Sequence, residues 1–386
     1  MHAQFPRTEP PRLRDTSRSF RWMTAAAALS LAPMLAAGCA QFDDSQSAPF
    51  SPVAGAGENF GEAPEPNKPP DMGQREPSPG QGEQPDLPPQ TPDGRTECED
   101  PDPAVIATCL EPTSAVVGLP DSAEAILAER DTGQMFVVSD AEAPKPFARI
   151  DPSEGAVVSL ALSPSYAQDR LVYAVLVSGG ETKVARIAEG DEAKIVADGL
   201  PGSENGRAGI AFNDDEMLVG VGREVIGFPE FEGIGEAGRT ETVASTDSPI
   251  SGLCAGAGIF PGVYATTGGT AGGALMRVDE GAALRVWSWP DQPSVHGCAV
   301  TTTGPAVAIP DAERVDMVVV DPASGTAPAP PTAVAEGQYG RLSGVGLMAG
   351  NALVGTTTNK AGGSPVQTDD RAIILPISGS SADERT

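Results

Sequence analysis

The stretch "VVSLALSPSYAQDRLVYAVL" (157–176), followed closely by "KVARI" (183–187), contains three short apolar runs separated by turns. Each run is aliphatic and rich in Val, and the breaks between them carry Ser, Pro, Asp and Gly. Runs of this length bounded by turn residues read as β-strands rather than helix. No long segment of the chain has the 3.6-residue apolar stripe of an amphipathic helix.

The same order of run, turn and run recurs along the chain. It is seen in "AEAILAERDTGQMFVV" (123–138), "AGIAFNDDEMLVGVG" (208–222) and "ISGLCAGAGIFPGVYATT" (250–267). "VHGCAVTTTGPAVAIP" (295–310) and "LSGVGLMAGNALVGTTT" (342–358) repeat it again. A third run usually follows, such as "ALMRV", "DMVVV" or "AIILPI". The units are spaced roughly 35–50 residues apart, the period of propeller blades. A β-sandwich is the rival, but it has no need of the same internal order in every unit. With 45 Gly and 38 Pro in 386 residues, the chain has the turn content of short strands. The sequence therefore predicts an all-β fold, a six-bladed β-propeller, over residues 112–379.

Upstream of the propeller the composition changes. Arg7, Arg12, Arg14, Arg18 and Arg21 precede "WMTAAAALSLAPMLAAGC" (22–39). A basic segment followed by an apolar run too short to span a bilayer reads as a signal peptide over 1–38. Its end, "LAAGC", resembles a bacterial lipoprotein processing box, with Ala36 where Leu is usual and Leu35 one place back. That resemblance implies a lipid on Cys39, attachment to the cell envelope and, with Ala40 following, export to the outer membrane. Residues 39–111 include "PEPNKPPDMGQREPSPGQGEQPDLPPQTPDG" (64–94), which has almost nothing to bury. Such a tract is expected to be a disordered tether, and residues 380–386 a disordered tail.

Setting Cys39 aside leaves four cysteines, an even number that suits an exported protein. Cys98 and Cys109 flank a short acidic stretch at the start of the domain. Cys254 and Cys298 stand in consecutive units, nine residues before Val263 and Val307 respectively. The expected bridges are Cys98–Cys109 and Cys254–Cys298. A net charge of −28 leaves no basic stripe for phosphates and excludes nucleic acid as a partner. No G-x-S-x-G or H-E-x-x-H occurs, so no hydrolase constellation competes.

The repeats also resemble, phrase by phrase, the PQQ-dependent glucose/sorbosone dehydrogenases, the soluble quinoprotein sugar dehydrogenases. "ERDTGQMFVV" is similar to that family's first blade, and "VVSLALSPSYAQDRLVYAVL" with "KVARI" to its second. "VADGLPGSENGRAGIAFNDDEMLVGVG" (196–222) resembles the third-blade segment, and "YGRLSGVGLMAGNALVGTTTNKAGGSPVQTDDRAIIL" (339–375) the closing blade. The resemblance implies PQQ and calcium at the top of the propeller and a His that takes the proton of the sugar's anomeric hydroxyl. Counting back from Ile210, that His position holds Asn205, and Arg207 and Ala208 stand where the family has paired glycines. An amide cannot accept a proton at neutral pH. The remaining substitutes are Glu204 and His296, since the other histidine, His2, lies in the signal peptide.

The cofactor clamp is altered too. Arg341 matches the first arginine of the family's Arg-Ile-Arg-Asp phrase, while Ser343 and Gly344 replace the second arginine and the acid. Lys360, with Arg371 nearby, offers further positive charge for the carboxylates of PQQ. For calcium the sequence supplies "NDDE" (213–216) and Asp369-Asp370, with no defined ligand set. The expected function is an envelope-anchored, quinoprotein-like propeller without the catalytic His that serves as a binding or scaffolding module. The alternatives are an active, divergent dehydrogenase of an aldose sugar and a purely structural envelope protein with a protein partner.

Overall fold

The computed structural model describes residues 98–229, 238–268, 272–279 and 281–377. The signal segment, Cys39, most of the tether and the tail lie outside the described residues. Over the described region the chain forms six four-stranded antiparallel sheets arranged as the blades of a propeller. The innermost strands are Ala115–Gly118, Ala156–Leu162, Ala208–Asn213, Ile250–Gly256, Cys298–Thr301 and Leu342–Met348. In blades 1 to 5 the strands follow outward in chain order.

Two features depart from the sequence reading, both because the strands involved are very short. "AEAILAERDTGQMFVV" holds the second and third strands of blade 1, Glu124–Ala128 and Gln134–Ser139. Its inner strand is the four-residue "AVVG" upstream. The fold also reaches upstream of residue 112. Val105–Ala107 pairs with Ala372–Leu375 as the outermost strand of blade 6, so that blade is built from both ends of the domain. The pairing closes the ring and covers an edge that would otherwise expose unpaired amides.

The core lies between blades rather than at a single centre. Ile126, Met135, Leu160, Val172 and Ile187 fill the space between blades 1 and 2. Tyr173, Val184, Ile210 and Met217 do the same between blades 2 and 3, where the Tyr173 and Phe212 rings meet edge to face at 5.2 Å. Each fully buried aliphatic side chain stabilises the fold by about 1.5–3 kcal/mol. Glycine permits the close approach of inner strands: a Cβ on Gly209 would run into the backbone of Gly252 and Leu253.

Both expected disulfides form, each with Cα atoms 5.6 Å apart. Cys254–Cys298 staples the inner strands of blades 4 and 5. Their registers differ slightly from the expected nine-residue match. Cys254 pairs with Tyr264 and Cys298 with Val307, because the turn after Gly256 is longer than the one after Thr301 while Cys254 stands one residue nearer its strand end. Around this disulfide a cavity of about 220 Å³ is lined by aliphatic side chains such as Leu160, Ile210, Leu253, Val300 and Leu347, together with backbone polar groups. None of the residues that line this cavity carries a charge, whereas arginines gather where the inner strands begin.

Candidate axial binding site

At the starting end of the inner strands, loops from five blades form a cup. Arg130 sits in the turn after Glu124–Ala128, and its backbone is held on both sides. Its N–H donates to Pro112 O (2.9 Å), and its carbonyl accepts from Val157 N (2.8 Å) at the start of blade 2. Its guanidinium donates through Nη2 to Gly206 O (3.2 Å), which joins it to the loop before blade 3.

That loop, Ser203 to Arg207, is a tight polar turn. The Asn205 side-chain oxygen accepts from Arg207 N (3.0 Å), and Gly206 takes a positive φ of 68° that a side chain would strain. The Asn205 amide nitrogen donates to Ser251 Oγ (3.0 Å), tying the loop to blade 4. Asn205 thus braces a turn. The turn projects Arg207 toward blade 6, where Nη1 approaches Ser343 Oγ at 3.5 Å. Among the described residues, no carboxylate forms an ion pair with Arg207.

His296 completes the centre. It is 4% exposed, its Nδ1 lies 2.9 Å from Ser343 Oγ, and its Nε2 lies 3.1 Å from Ser294 Oγ. Arg341, at the start of blade 6, pairs through Nη1 with Asp311 (2.7 Å), yet its Nε is buried without a partner. Buried polar atoms are rarely left unpaired, so this Nε is a donor open to a bound molecule.

Electrostatically the cup is positive within an acidic protein. Burial first, then Arg130 and Arg341, pull the Arg207 guanidinium down to about 9. Burial, followed by Arg207, Arg341 and Arg130, holds His296 well below its ordinary 6.5, so the ring is neutral at pH 7. Crowding like charges in a partly desolvated cup is unfavourable unless an anion joins them.

The remaining sequence candidates lie elsewhere. Glu204 is half-exposed and pairs with Arg223 (3.1 Å). Lys360, expected to meet a cofactor, instead donates to Leu110 O (2.7 Å) and Glu111 (3.1 Å), which anchors the start of the domain. Arg371 bonds Asp369 and Asp100 at the ring closure. Asp370 accepts from Thr357 Oγ1 (3.0 Å) and Lys360 N (3.3 Å), and its carboxylate also meets Asn359 N. Asp214 and Asp215 form the hairpin turn at the far end of blade 3's inner strand. Among the described residues, no group of three or more His, Cys, Asp or Glu stands where it could hold a metal ion.

The structure brings Arg341, Asn205, Ser343 and His296, all singled out in the sequence, to one mouth, and adds Arg130 and Arg207, which sequence reasoning did not join into one cationic cluster. The only signal was an arginine inside a polar turn in each of two units, which is also how exposed turns look.

The architecture defines a class of fold: the chain has a six-bladed propeller similar to that of soluble aldose sugar dehydrogenases. The PQQ-bound aldose sugar dehydrogenase of Streptomyces coelicolor is similar to it at 22% identity and a TM-score of 0.59, over 70% of this chain and 96% of that one. A putative oxidoreductase (glucose dehydrogenase) from Thermus thermophilus matches at 20% identity and a TM-score of 0.58, over 70% and 98% of the two chains. The apo soluble aldose sugar dehydrogenase of Escherichia coli matches at 13% identity and a TM-score of 0.53, again over 70% and 98%. No family model and no curated protein matches the chain.

Proposed function

We propose that this protein is a catalytically silent relative of the PQQ-dependent sugar dehydrogenases, whose axial cup binds PQQ or a similar polycarboxylate. The observation that carries the reading is the buried, unpartnered Nε of Arg341 beside Arg207, a guanidinium with no carboxylate of its own among the described residues. Arg130, Arg207 and Arg341 fit a multiply charged carboxylate, since each guanidinium presents a planar fork of donors. Calcium does not fit in the same way, because the acidic candidates are engaged by backbone amides, hydroxyls and Arg371 or lie at the far end of blade 3.

In dehydrogenases that use it, PQQ takes up the hydride from the sugar. Oxidation there also needs a group that receives the hydroxyl proton. In this chain Asn205 is an amide bonded to Ser251, and both ring nitrogens of His296 meet serines in a buried pocket. The cup's residues therefore bind and orient an anion, and none is placed to remove a proton from a sugar.

PQQ should bind the purified chain. Arg207→Ala should weaken that binding by roughly ten- to a hundred-fold, the effect of losing one charge-assisted contact. The same protein should reduce no dye when given glucose, PQQ and calcium. Turnover above the buffer rate would reject the silent assignment, and absence of PQQ binding would reject the ligand.

Lipidation of Cys39 and attachment to the outer membrane belong to the same proposal. They are supported by the arginine-rich start and the "LAAGC" box. Cys39→Ser should move the protein from the membrane fraction to the soluble one; unchanged partitioning would dismiss the anchor.

A further inference from the structure

We infer that the cup is a proton-coupled anion site: an anion that settles among Arg130, Arg207 and Arg341 draws a proton from solvent onto His296. It is therefore held more tightly in acid than at neutral pH. The inference rests on the reading that the cup binds an anion, but it does not depend on that anion being PQQ.

The geometry around the ring supplies the means. Ser343 comes from the inner strand of blade 6 and Ser294 from the connection before blade 5, and each hydroxyl faces one ring nitrogen. A hydroxyl both donates and accepts, so His296 can pass from imidazole to imidazolium by turning two hydroxyl hydrogens, with no heavy atom displaced. Only an N–H bond forms, and the proton comes from water or buffer.

The charges facing the ring supply the coupling. They are Arg207 from the loop before blade 3, Arg341 from blade 6 and Arg130 from the first turn of blade 1. The acids paired with these cations are Asp311 of blade 5, bonded to Arg341, and the exposed Asp131, 3.6 Å from Arg130. Among the described residues no carboxylate contacts the imidazole, whose ring nitrogens are bonded to serines. Protonation in the free cup is opposed by burial and by these three cations. An anion offsets the cations and leaves only burial. Ser343 Oγ has two lone pairs, so it can accept from Nδ1–H while Arg207 stays within reach of it.

The sign follows from linkage. His296 takes up a proton more readily with the anion bound than without it, so affinity is flat at high pH and rises as pH falls through the bound-state titration. It then levels off once the free site is protonated too. Each unit by which the anion raises the titration point adds a factor of ten in affinity.

The test is calorimetry on the full chain with two probes, PQQ and sulfate, the latter remaining a dianion throughout. Each is titrated in buffers of differing ionisation enthalpy between about pH 7.5 and about pH 5.5, the range of histidine titration. The expected result is net proton uptake on binding and an affinity that increases about ten-fold or more toward acid, with His296→Gln abolishing the uptake. Binding of either anion with no uptake and a flat pH profile would overturn the inference, and where that anion is PQQ the ligand proposal would stand. Sulfate binding with uptake but no PQQ binding would support the inference and remove PQQ as the ligand. Failure of both anions to bind would remove both proposals. Should His296→Gln not fold, the buffer dependence of the unmodified chain still decides.

Discussion

Replacing Arg371 with Ala should destabilise the propeller by about 3–5 kcal/mol, the cost of removing one partner from a buried ion pair. Its side chain is 12% exposed and joins three segments. Nε donates to Asp369 (2.8 Å), Nη1 to Asp100 (3.3 Å) and Nη2 to the Tyr339 carbonyl (3.2 Å). Asp100 belongs to the start of the domain, and Asp369 and Tyr339 to the last blade. Burial works to raise the Asp100 carboxyl, but bonds from Asp102 N–H and the Thr368 hydroxyl, then Arg371, outweigh it and hold the carboxyl low. Without the guanidinium, Asp369 and Asp100 would remain buried with a cationic partner gone. Denaturant unfolding reads the effect, and a loss below about 1 kcal/mol, as expected of a surface pair, would reject the role. Arg371→Lys should fall between, since an ammonium keeps the charge but not the fork.

The Cys254–Cys298 bridge carries the second large effect. It spans 44 residues, and chain-entropy reasoning gives such a loop about 4 kcal/mol, against about 3 kcal/mol for the 11-residue Cys98–Cys109 loop. The Cys254→Ser, Cys298→Ser double variant should therefore lose more stability than the matching pair at 98 and 109. An equal or smaller loss, read from denaturation midpoints of the oxidised proteins, would show that constraint of the unfolded chain is not its main contribution.

Much of the architecture was legible because each blade buries both faces of its inner strands against neighbours. Runs such as "ISGLCAG" and "LSGVGLM" are therefore continuously apolar and recur at a fixed interval. Strands too short to leave a signature were not legible: "AVVG" in blade 1 and "VIA" within an acidic, Pro-containing stretch. The cysteine pairs were readable from parity and unit position, although the exact register depended on turn lengths. The cup was half legible. Arg341, Asn205 and Ser343 stand in phrases with a known counterpart. Arg130 and Arg207 become one cluster only when the ring closes and brings the first and third blades to the same mouth. Lys360 misled because its charge is plain in sequence, whereas its acceptors, Leu110 O and Glu111, lie at the opposite end of the domain.

The closing strand has a mechanical consequence. Val105–Ala107 lies inside the loop bounded by Cys98 and Cys109, so force arriving at residue 98 from upstream crosses the sulfur bridge and bypasses that strand. It is delivered to Cys109 and Leu110, whose amides are bonded to Thr368 O and Asp370 O, with Asp370 N returning a bond to Leu110 O. Tension on the upstream chain would thus load a covalently shortened path and spare the three-residue strand from being peeled away. The seam of the ring is thereby shielded from tension that arrives through the chain ahead of Cys98.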